Sequence, residues 1–423
     1  MNQSQNAALT VIRKLQENGF EAYLVGGCVR DLVLSRDPKD FDVTTNALPQ
    51  HVQAIFKRTL PVGVSFGVVI VIVGIDGKDE QVEVATYRTD GQYSDSRRPD
   101  SVEYGKSAEE DVQRRDFTIN GLLYCGACGI IDHVGGLKDC ENKIIRCIGD
   151  PNARFGEDAL RMLRAVRFAA QLGFEIEPTT LAAIAVNAPK IAQVSRERVA
   201  IEMFKLLTAP FPLKGIVPLF GSGLAAQVFP REFTNNILLG RTLRRFSQFY
   251  TTNPVLAMAM FLADTSNAKT PLLMAQSLKL SNDEKAQIVT ALLYVTAIPK
   301  AREHDCQPAH FKRTMRVPGI ELALEIAIQN ELIGVTSVGL EALMSIVNDY
   351  KGLTTEEIYP KPLVTGDDLI AAGYTPGPRF RDVLYAIETE QLDGKLADHE
   401  TALQRAFVLM TGICSEQVLE SGA

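Results

Sequence analysis

No stretch of this chain approaches the ~20 consecutive apolar residues that a membrane-spanning helix needs, so no such span is expected. The N-terminal MNQSQNAALTVIRKLQ lacks the apolar core of an export signal and reads as an amphipathic helix, which makes the cytosol the default compartment. Histidine is scarce: there are five, with no HxxxH pair, which argues against a histidine-based metal hydrolase. Seven cysteines are too few for a disulfide scaffold in 423 residues. Four of them, Cys125, Cys128, Cys140 and Cys147, fall close together, and Cys125-Gly-Ala-Cys128 has the spacing of half a zinc site. The second pair lacks that spacing, and GLLYCGACGIIDHVGG reads as a hairpin, so reduced structural thiols are expected. Basic charge is not in excess: the net charge of −7 argues against indiscriminate coating of nucleic acid, while leaving room for a local basic cleft. The Gly-Lys-Ser/Thr ending of a P-loop is absent as well.

What is present points to a globular protein of two to four packed units, with 46 % apolar and 22 % charged residues. Residues 1–150 mix helices with short β-rich runs such as Val68–Gly74 and Gln81–Tyr87. From about 155 onward, helical periodicity takes over, with helices expected over Glu157–Leu172, Arg196–Leu207, Pro254–Ala263, Asp283–Val295 and Ile320–Asn330. Breaks are expected near 208–214, 298–308 and 360–366. No low-complexity segment or fixed-period repeat interrupts the chain.

The densest chemistry lies near the N-terminus. Ala22–Val25 reads as a strand that runs into Gly26-Gly27 and then a helix over Cys28–Ser35. Adjacent glycines at a helix start let backbone N–H groups approach an anion. Asp40-Phe41-Asp42-Val43 follows. In a strand its side chains alternate, so Asp40 and Asp42 share one face while Phe41 and Val43 enter the core. Paired carboxylates of this kind suit Mg²⁺. Two such ions can activate a hydroxyl and stabilise a leaving pyrophosphate. Glu83, on a strand whose neighbours Val82 and Val84 face the other way, is the candidate third carboxylate. Together, Leu24-Val25-Gly26-Gly27, Arg30-Asp31 and Asp40-Phe41-Asp42 resemble the signature of polymerase-β-like nucleotidyltransferases.

Further on come Tyr87-Arg88-Thr89-Asp90, then Glu110–Asn120 containing Arg114-Arg115-Asp116, then Arg154-Phe155-Gly156-Glu157-Asp158 and Leu160–Phe168. Asp158 and Arg161 are three apart on one expected helix, and Arg161, Arg164 and Arg167 continue the line. In isolation this is a salt-bridged helix surface. Beside the head motifs, a second reading opens. Cytosine and adenine each place an amino donor beside a ring-nitrogen acceptor, whereas uracil and guanine place a carbonyl beside an N–H. An ionised aspartate only accepts and an arginine only donates, so Asp158 with Arg161 matches C and A. A mismatch leaves buried polar groups unpaired, at about 1–3 kcal/mol each. The other arginines, including Arg115, can hold triphosphate and stacked base.

These blocks resemble the bacterial-type (class II) tRNA nucleotidyltransferase and poly(A) polymerase family, densely over the first 210 or so residues and sparsely to the C-terminus. The resemblance implies an α+β protein. A polymerase-β-like nucleotidyltransferase head with the catalytic sheet (1–150) precedes a mostly helical neck reading the nucleotide (151–210), a body (211–300) and a tail contacting tRNA (301–423). It implies template-independent addition of C and A to tRNA 3′ ends, two Mg²⁺ ions on Asp40 and Asp42, CTP and ATP as substrates, and Gly27 and Arg30 on the phosphate side. No membrane and no obligate protein partner are implied. Cys28 and Gly121 depart from the usual residues without removing a needed group. Thr89–Ser107 resembles the family's loop for switching from C to A addition. Val194–Val199 resembles a segment bracing the reading helix, with Ser195 as helix cap. Leu363–Pro378 resembles the tRNA-contacting tail, with Gly366, Asp368, Gly373 and Gly377 as candidate RNA contacts. The strongly basic C-terminal tail of proteobacterial poly(A) polymerases is absent. The shared motifs leave narrower outputs open (A-adding, CC-adding or poly(A) synthesis), as well as a non-catalytic RNA-binding relative.

Overall fold

The computed structural model describes residues 3–61, 67–75, 77–90, 102–105, 107–229, 236–264, 269–298 and 308–411. The switching loop expected over Thr89–Ser107 lies for the most part outside the described residues. The chain divides into two compact units, Met1–Ala257 with Ser277–Lys279, and Met258–Gln276 with Leu280–Ala423. Among the described residues no helix is long and apolar enough to cross a membrane.

The first unit is built on a seven-stranded mixed sheet. In chain order its elements are α1 (Gln3–Glu17), β1 (Ala22–Val25), α2 (Gly27–Val33), β2 (Asp42–Thr45), α3 (Pro49–Ile55), β3 (Thr59–Leu60), β4 (Val68–Ile75) and β5 (Lys78–Thr86). The small pair β6 (Arg88–Asp90) and β7 (Val102–Tyr104), then α4 (Ala108–Gln113), precede β8 (Leu122–Cys125) and β9 (Gly129–Asp132). The sheet order is β3-β4-β5-β2-β1-β8-β9. Alternation sets its faces. Val69 and Val71 on β4 and Val82 and Val84 on β5 are buried, while Gln81 and Glu83 point outward. α1 covers the sheet with Ala7, Ala8, Val11, Ile12 and Leu15, an apolar stripe of helical spacing.

Then follow α5 (Gly136–Asn142), β10 (Ile144–Ile145), α6 (Pro151–Glu157), α7 (Leu160–Leu172), β11 (Glu175–Ile176), α8 (Pro178–Asn187), α9 (Arg196–Leu207) and α10 (Pro212–Gly221). The strand Ala22–Val25 and the helix Arg196–Leu207 match the sequence expectation. The helix expected over Glu157–Leu172 is broken. Asp158 is extended (φ −142°, ψ 104°), and its carboxylate accepts the N–H of Leu160 at 3.0 Å, so α6 ends and α7 begins around it. α7 packs against α9 and α10 through a nearly continuous buried run that includes Met162, Leu163, Val166 and Ala170.

The expected hairpin at the cysteines is present, with Cys125 paired to Gly129 across β8 and β9. Cys28, Cys125, Cys128, Cys140 and Cys147 are all free thiols. Burial pushes Cys28 and Cys140 up to about 11 and Cys147 up to about 12, which keeps these thiols inert.

The described part of the second unit is helical. Its helices include Asn282–Tyr294, Pro308–Thr314, Ile320–Leu332, Leu340–Gly352, Gly366–Ala371, Pro378–Leu392 and His399–Thr411. Val364, Leu369, Phe380, Val383, Ile387, Ala402 and Ala406 form one core cluster there. Reciprocal capping boxes begin three of the unit's helices, at Ser281/Glu284, Thr354/Glu357 and Thr365/Asp368.

Candidate functional site

The glycine turn comes first. Gly26 has φ +80°, a conformation costly for any residue with a side chain, and its N–H donates to Leu122 O at 3.2 Å. A Cβ on Gly26 would meet Arg115 Nη1 at 3.3 Å, so the turn is where Arg115 approaches the backbone. Gly27 opens α2. Arg30 in that helix is buried, donates to Asn120 Oδ1 at 2.7 Å and Asp31 Oδ1 at 2.9 Å, and lies 5.2 Å from the Phe168 ring centroid.

β2 begins at Asp42, so Asp40 precedes the strand rather than lying in it. The expected alternation holds nonetheless: Asp40 and Asp42 are exposed, Phe41 and Val43 buried. β2 and β5 are parallel with Val43 paired to Val84, which brings Asp42 level with Glu83. A cleft of about 550 Å³ lined by Lys39, Asp40, Asp42, Glu80 and Glu83 opens here. Asp42 also lines a second cleft of about 570 Å³ with Gly27, Arg30, Lys39, Asp40, Arg167 and Lys205, and a third of about 230 Å³ with Glu83, Arg88, Arg114 and Arg115. Asp42 is therefore the meeting point of an acidic recess and two that carry arginines.

Asp42 meets solvent at the strand end, yet protein crowds it on several sides. That partial dehydration, then the like charge of Glu83, push its pKa up to about 6; Arg115 opposes them and Asp40 adds to them. A cation bound among these oxygens relieves that repulsion, so the donor set fits a hard divalent ion. Among the described residues no three His, Cys, Asp or Glu side chains form a ready cage. A site left open in this way suits an ion that completes its coordination with substrate phosphates and water.

Arg115 is anchored from behind. Asp111, fully buried, accepts Arg114 Nη2 at 2.5 Å and Arg115 Nη2 at 3.1 Å. Burial raises the Asp111 pKa, but the two arginines outweigh it and hold the carboxylate below its usual range. Arg115 Nε is buried without a hydrogen-bond partner among the described residues, a donor suited to an anionic ligand.

The arginine helix is organised differently from the sequence expectation. Asp158 and Arg161 meet through the backbone, the Arg161 N–H donating to the Asp158 carbonyl at 3.0 Å, and their side chains also engage other partners. Asp158 Oδ2 accepts Arg198 Nη2 from α9 at 2.7 Å. Arg161 bonds Glu157 and donates to the carbonyls of Arg154 (3.2 Å) and Arg114 (3.1 Å). Arg164 forms an ion pair with Asp116 at 2.6 Å, and Arg167 one with Glu202 at 2.6 Å. Arg167 lies 3.8 Å and Arg164 5.3 Å from the Phe168 centroid. Asp116 Oδ1 accepts Asn120 Nδ2 at 3.0 Å, so a continuous chain runs Arg30–Asn120–Asp116–Arg164 from the glycine turn to α7. Burial raises the Asp116 pKa, but Arg164, Asn120 and Arg161 outweigh it and bring it down to about 2.

Asp40, Asp42, Glu83, Gly26, Gly27, Arg30 and Arg115 thus gather around connected clefts, which Arg167 joins. Asp158, Arg161 and Arg164 form an ion-pair cluster outside the linings of these three. Sequence reasoning did not single out Glu157, Asp116, Asn120 or Glu202. A Glu–Arg pair at i,i+4, as in Glu157/Arg161, was the available signal for the first. In the second unit, Asp368 caps its own helix through Thr365, Gly373 has φ +90°, and Gly366 and Gly377 flank helix starts.

Three sequence profiles match successive parts of the chain: the poly(A) polymerase head domain over residues 22–146, the RNA and SrmB-binding site of polymerase A over 173–233, and tRNA nucleotidyltransferase domain 2 over 248–407. The chain is 34 % identical to the CCA-adding enzyme of Limosilactobacillus fermentum over 404 residues, 95 % of this chain and 96 % of that one. It is 48 % identical to the CCA-adding enzyme of Geobacillus thermodenitrificans over 221 residues, a match spanning 52 % of this chain and about half (54 %) of that relative. The crystal structure of the Bacillus stearothermophilus CCA-adding enzyme in complex with CTP superposes with a TM-score of 0.69 at 30 % identity, covering 98 % of this chain and all of that one. The Thermotoga maritima CCA-adding enzyme complexed with tRNA shares the fold, with a TM-score of 0.65 at 20 % identity, covering 97 % of this chain and 96 % of that one.

Proposed function

Because this chain belongs to the CCA-adding tRNA nucleotidyltransferase family, we propose that its clefts at Asp42 build the 3′-terminal CCA of tRNA from CTP and ATP by divalent-metal-dependent phosphoryl transfer. The carrying observation is the position of Asp42, level with Glu83 and shared by an acidic recess and the arginine-bearing clefts. That juxtaposition suits a nucleoside triphosphate, whose anionic end needs cations and arginines together.

Asp40 and Asp42 are the proposed ligands of two Mg²⁺ ions, with Glu83 as the third carboxylate beside them. Bound there, the ions supply charge neutralisation for the triphosphate and a lowered pKa for the attacking 3′-hydroxyl. The chain's own groups position the reactants. Arg115, anchored by Asp111, holds phosphate oxygens beside the Gly26-Gly27 turn. Arg30 supports that turn from within the protein. Asp158 accepts the exocyclic amino group of C or A, and Arg161 donates to the adjacent ring nitrogen. A carboxylate oxygen can accept more than one hydrogen bond, so Arg198 orients Asp158 without exhausting it. Arg164 and Arg167, stacked about Phe168, stiffen the reading helix. No covalent enzyme intermediate is needed. The helical neck begins near 151 and the tail near 301, and the tail's glycines at 366, 373 and 377, with Asp368, are proposed to contact tRNA. With tRNA as substrate, the cytosol is the proposed compartment.

The test uses tRNA lacking CCA, tRNA ending in CC, and an unstructured RNA, each incubated with single nucleotides and with CTP plus ATP. Extension of the first by C, C and A, of the second by A, and of the third by nothing is expected. Homopolymeric A tails on unstructured RNA would instead mark a poly(A) polymerase.

A further inference from the structure

We propose that Cys125 and Cys128 form a two-thiolate site for a thiophilic divalent cation, Zn²⁺ or Cd²⁺, separate from the carboxylate cleft. The two cysteines bracket the β8–β9 turn, with Cys125 closing β8 and Gly129 opening β9. Gly129 has φ +74°, which turns the chain back directly after Cys128. The N–H of Cys128 is thereby aimed at Cys125 Sγ, 3.4 Å away. An N–H donated to sulfur favours the thiolate, the form that binds metal.

Spacing and access agree with this geometry. A Cys-x-x-Cys pair is the unit that supplies two of the four ligands in zinc sites built on such turns. Cys128 is exposed and Cys125 is buried beneath it, so a cation enters from the Cys128 side, whereas Cys28, Cys140 and Cys147 are buried with no exposed cysteine three residues away. Soft sulfur ligands and hard carboxylates select different ions, so this pair and the Asp40/Asp42 recess do not compete for the same cation. Among the described residues no third Cys, His, Asp or Glu joins the pair in a cage, so water fills the remaining positions and the site is weaker than a four-ligand one.

Its place in the sheet predicts little effect on catalysis. β1 and β8 are antiparallel, with Val25 paired to Leu123 and Leu24 to Tyr124. Val25 leads into the Gly26 turn, while Cys125 lies at the far end of β8 from that pairing. The cation would staple the hairpin at the end of the sheet away from the nucleotide.

The experiment is a Cd²⁺ titration of the reduced full-length protein in excess Mg²⁺, following the thiolate-to-cadmium charge-transfer absorption. One equivalent is expected to saturate the band and to slow alkylation of Cys128 by about tenfold, read by peptide mass mapping. Cys128→Ser should lose the band, and Cys125→Ser both the band and the protection of Cys128, while Cys128→Ser retains parental CTP incorporation in Mg²⁺, which shows that the variant folds. Cys140→Ala should keep both. A band that survives in Cys125→Ser and Cys128→Ser overturns the assignment, as does a reduced pair that shows no saturable band.

Discussion

Asp42 and Glu83 stand level on neighbouring parallel strands, one residue before the paired Val43 and Val84. Partial dehydration and this second carboxylate push Asp42 up to about 6. Proton and cation therefore compete for the same oxygens near neutrality. CTP incorporation is expected to fall as the pH drops through about 6 at low Mg²⁺. Raising Mg²⁺ should move that midpoint to lower pH. Rates measured across pH at two metal concentrations decide it, and a midpoint indifferent to Mg²⁺ would falsify the competition.

The same raised pKa has an opposite consequence for stability. The folded carboxyl titrates near 6 and an unfolded one near 3.8, so between these values the folded state binds more protons. Stability is lost as the pH rises through that window, and at pH 8 the metal-free protein carries the full cost of the ionised group. Asp42→Asn should therefore stabilise the metal-free protein at pH 8 by about 1 kcal/mol, discounted because solvent reaches the side chain. The difference should vanish below about pH 4, while catalysis is abolished at every pH. Urea unfolding with chelator present measures the first effect; equal stability of the two proteins at pH 8 rules it out.

Asp158 is oriented by Arg198, and Arg161 by Glu157 and two carbonyls. Arg198→Ala releases Oδ2 of Asp158 while Oδ1 still accepts the N–H of Leu160, so the carboxylate is held from one side only. The expected result is an increase of about tenfold in KM for both CTP and ATP with a smaller change in kcat. Arg198→Lys should recover part of the loss, since it restores charge without the planar fork. Arg161→Ala should weaken CTP and ATP use and relax rejection of UTP. Steady-state kinetics with the separate nucleotides check both, and an unchanged C and A preference in Arg161→Ala would refute base reading by this helix.

The sequence made local features legible where neighbours in the chain also touch in space. Ala22–Val25 ran a short apolar strand into a glycine pair, and Arg196–Leu207 showed regular periodicity, although Ser195 at its N-cap position makes no side-chain capping bond, contrary to expectation. The unbroken helix expected over Glu157–Leu172 failed because periodicity alone does not register a break. A short aspartate can bond a backbone N–H two residues on more easily than it sustains the helix, and the next turn then starts afresh. Arg30 showed the other limit. The resemblance put it on the phosphate side, but its partner Asn120 lies 90 residues away, and its burial next to Phe168 becomes visible only in three dimensions.

Asp116 is the most consequential of these long-range partners. It holds Arg164 at 2.6 Å and Asn120 at 3.0 Å, largely removed from water. Removing only the carboxylate leaves the Arg164 guanidinium, whose side chain is 35 % exposed, without its counter-charge. Fully buried pairs lose about 3–5 kcal/mol in this way, and because solvent reaches Arg164, Asp116→Asn should cost less, about 1–3 kcal/mol. Arg164→Met alone leaves Asp116 with Asn120 and a backbone N–H and should cost less. The double variant should cost clearly less than the sum of the two, because neither charge is then stranded. The pair also carries a pH signature. The folded Asp116 titrates at about 2, below the usual 3.8, so its contribution is present above the latter value and disappears as the pH falls through the former. A double-mutant cycle in urea at pH 7, repeated with Asn120→Ala, measures the coupling. Additive losses would show that Asp116 and Arg164 act independently and that the chain from Arg30 to α7 transmits no constraint between the glycine turn and the arginine helix.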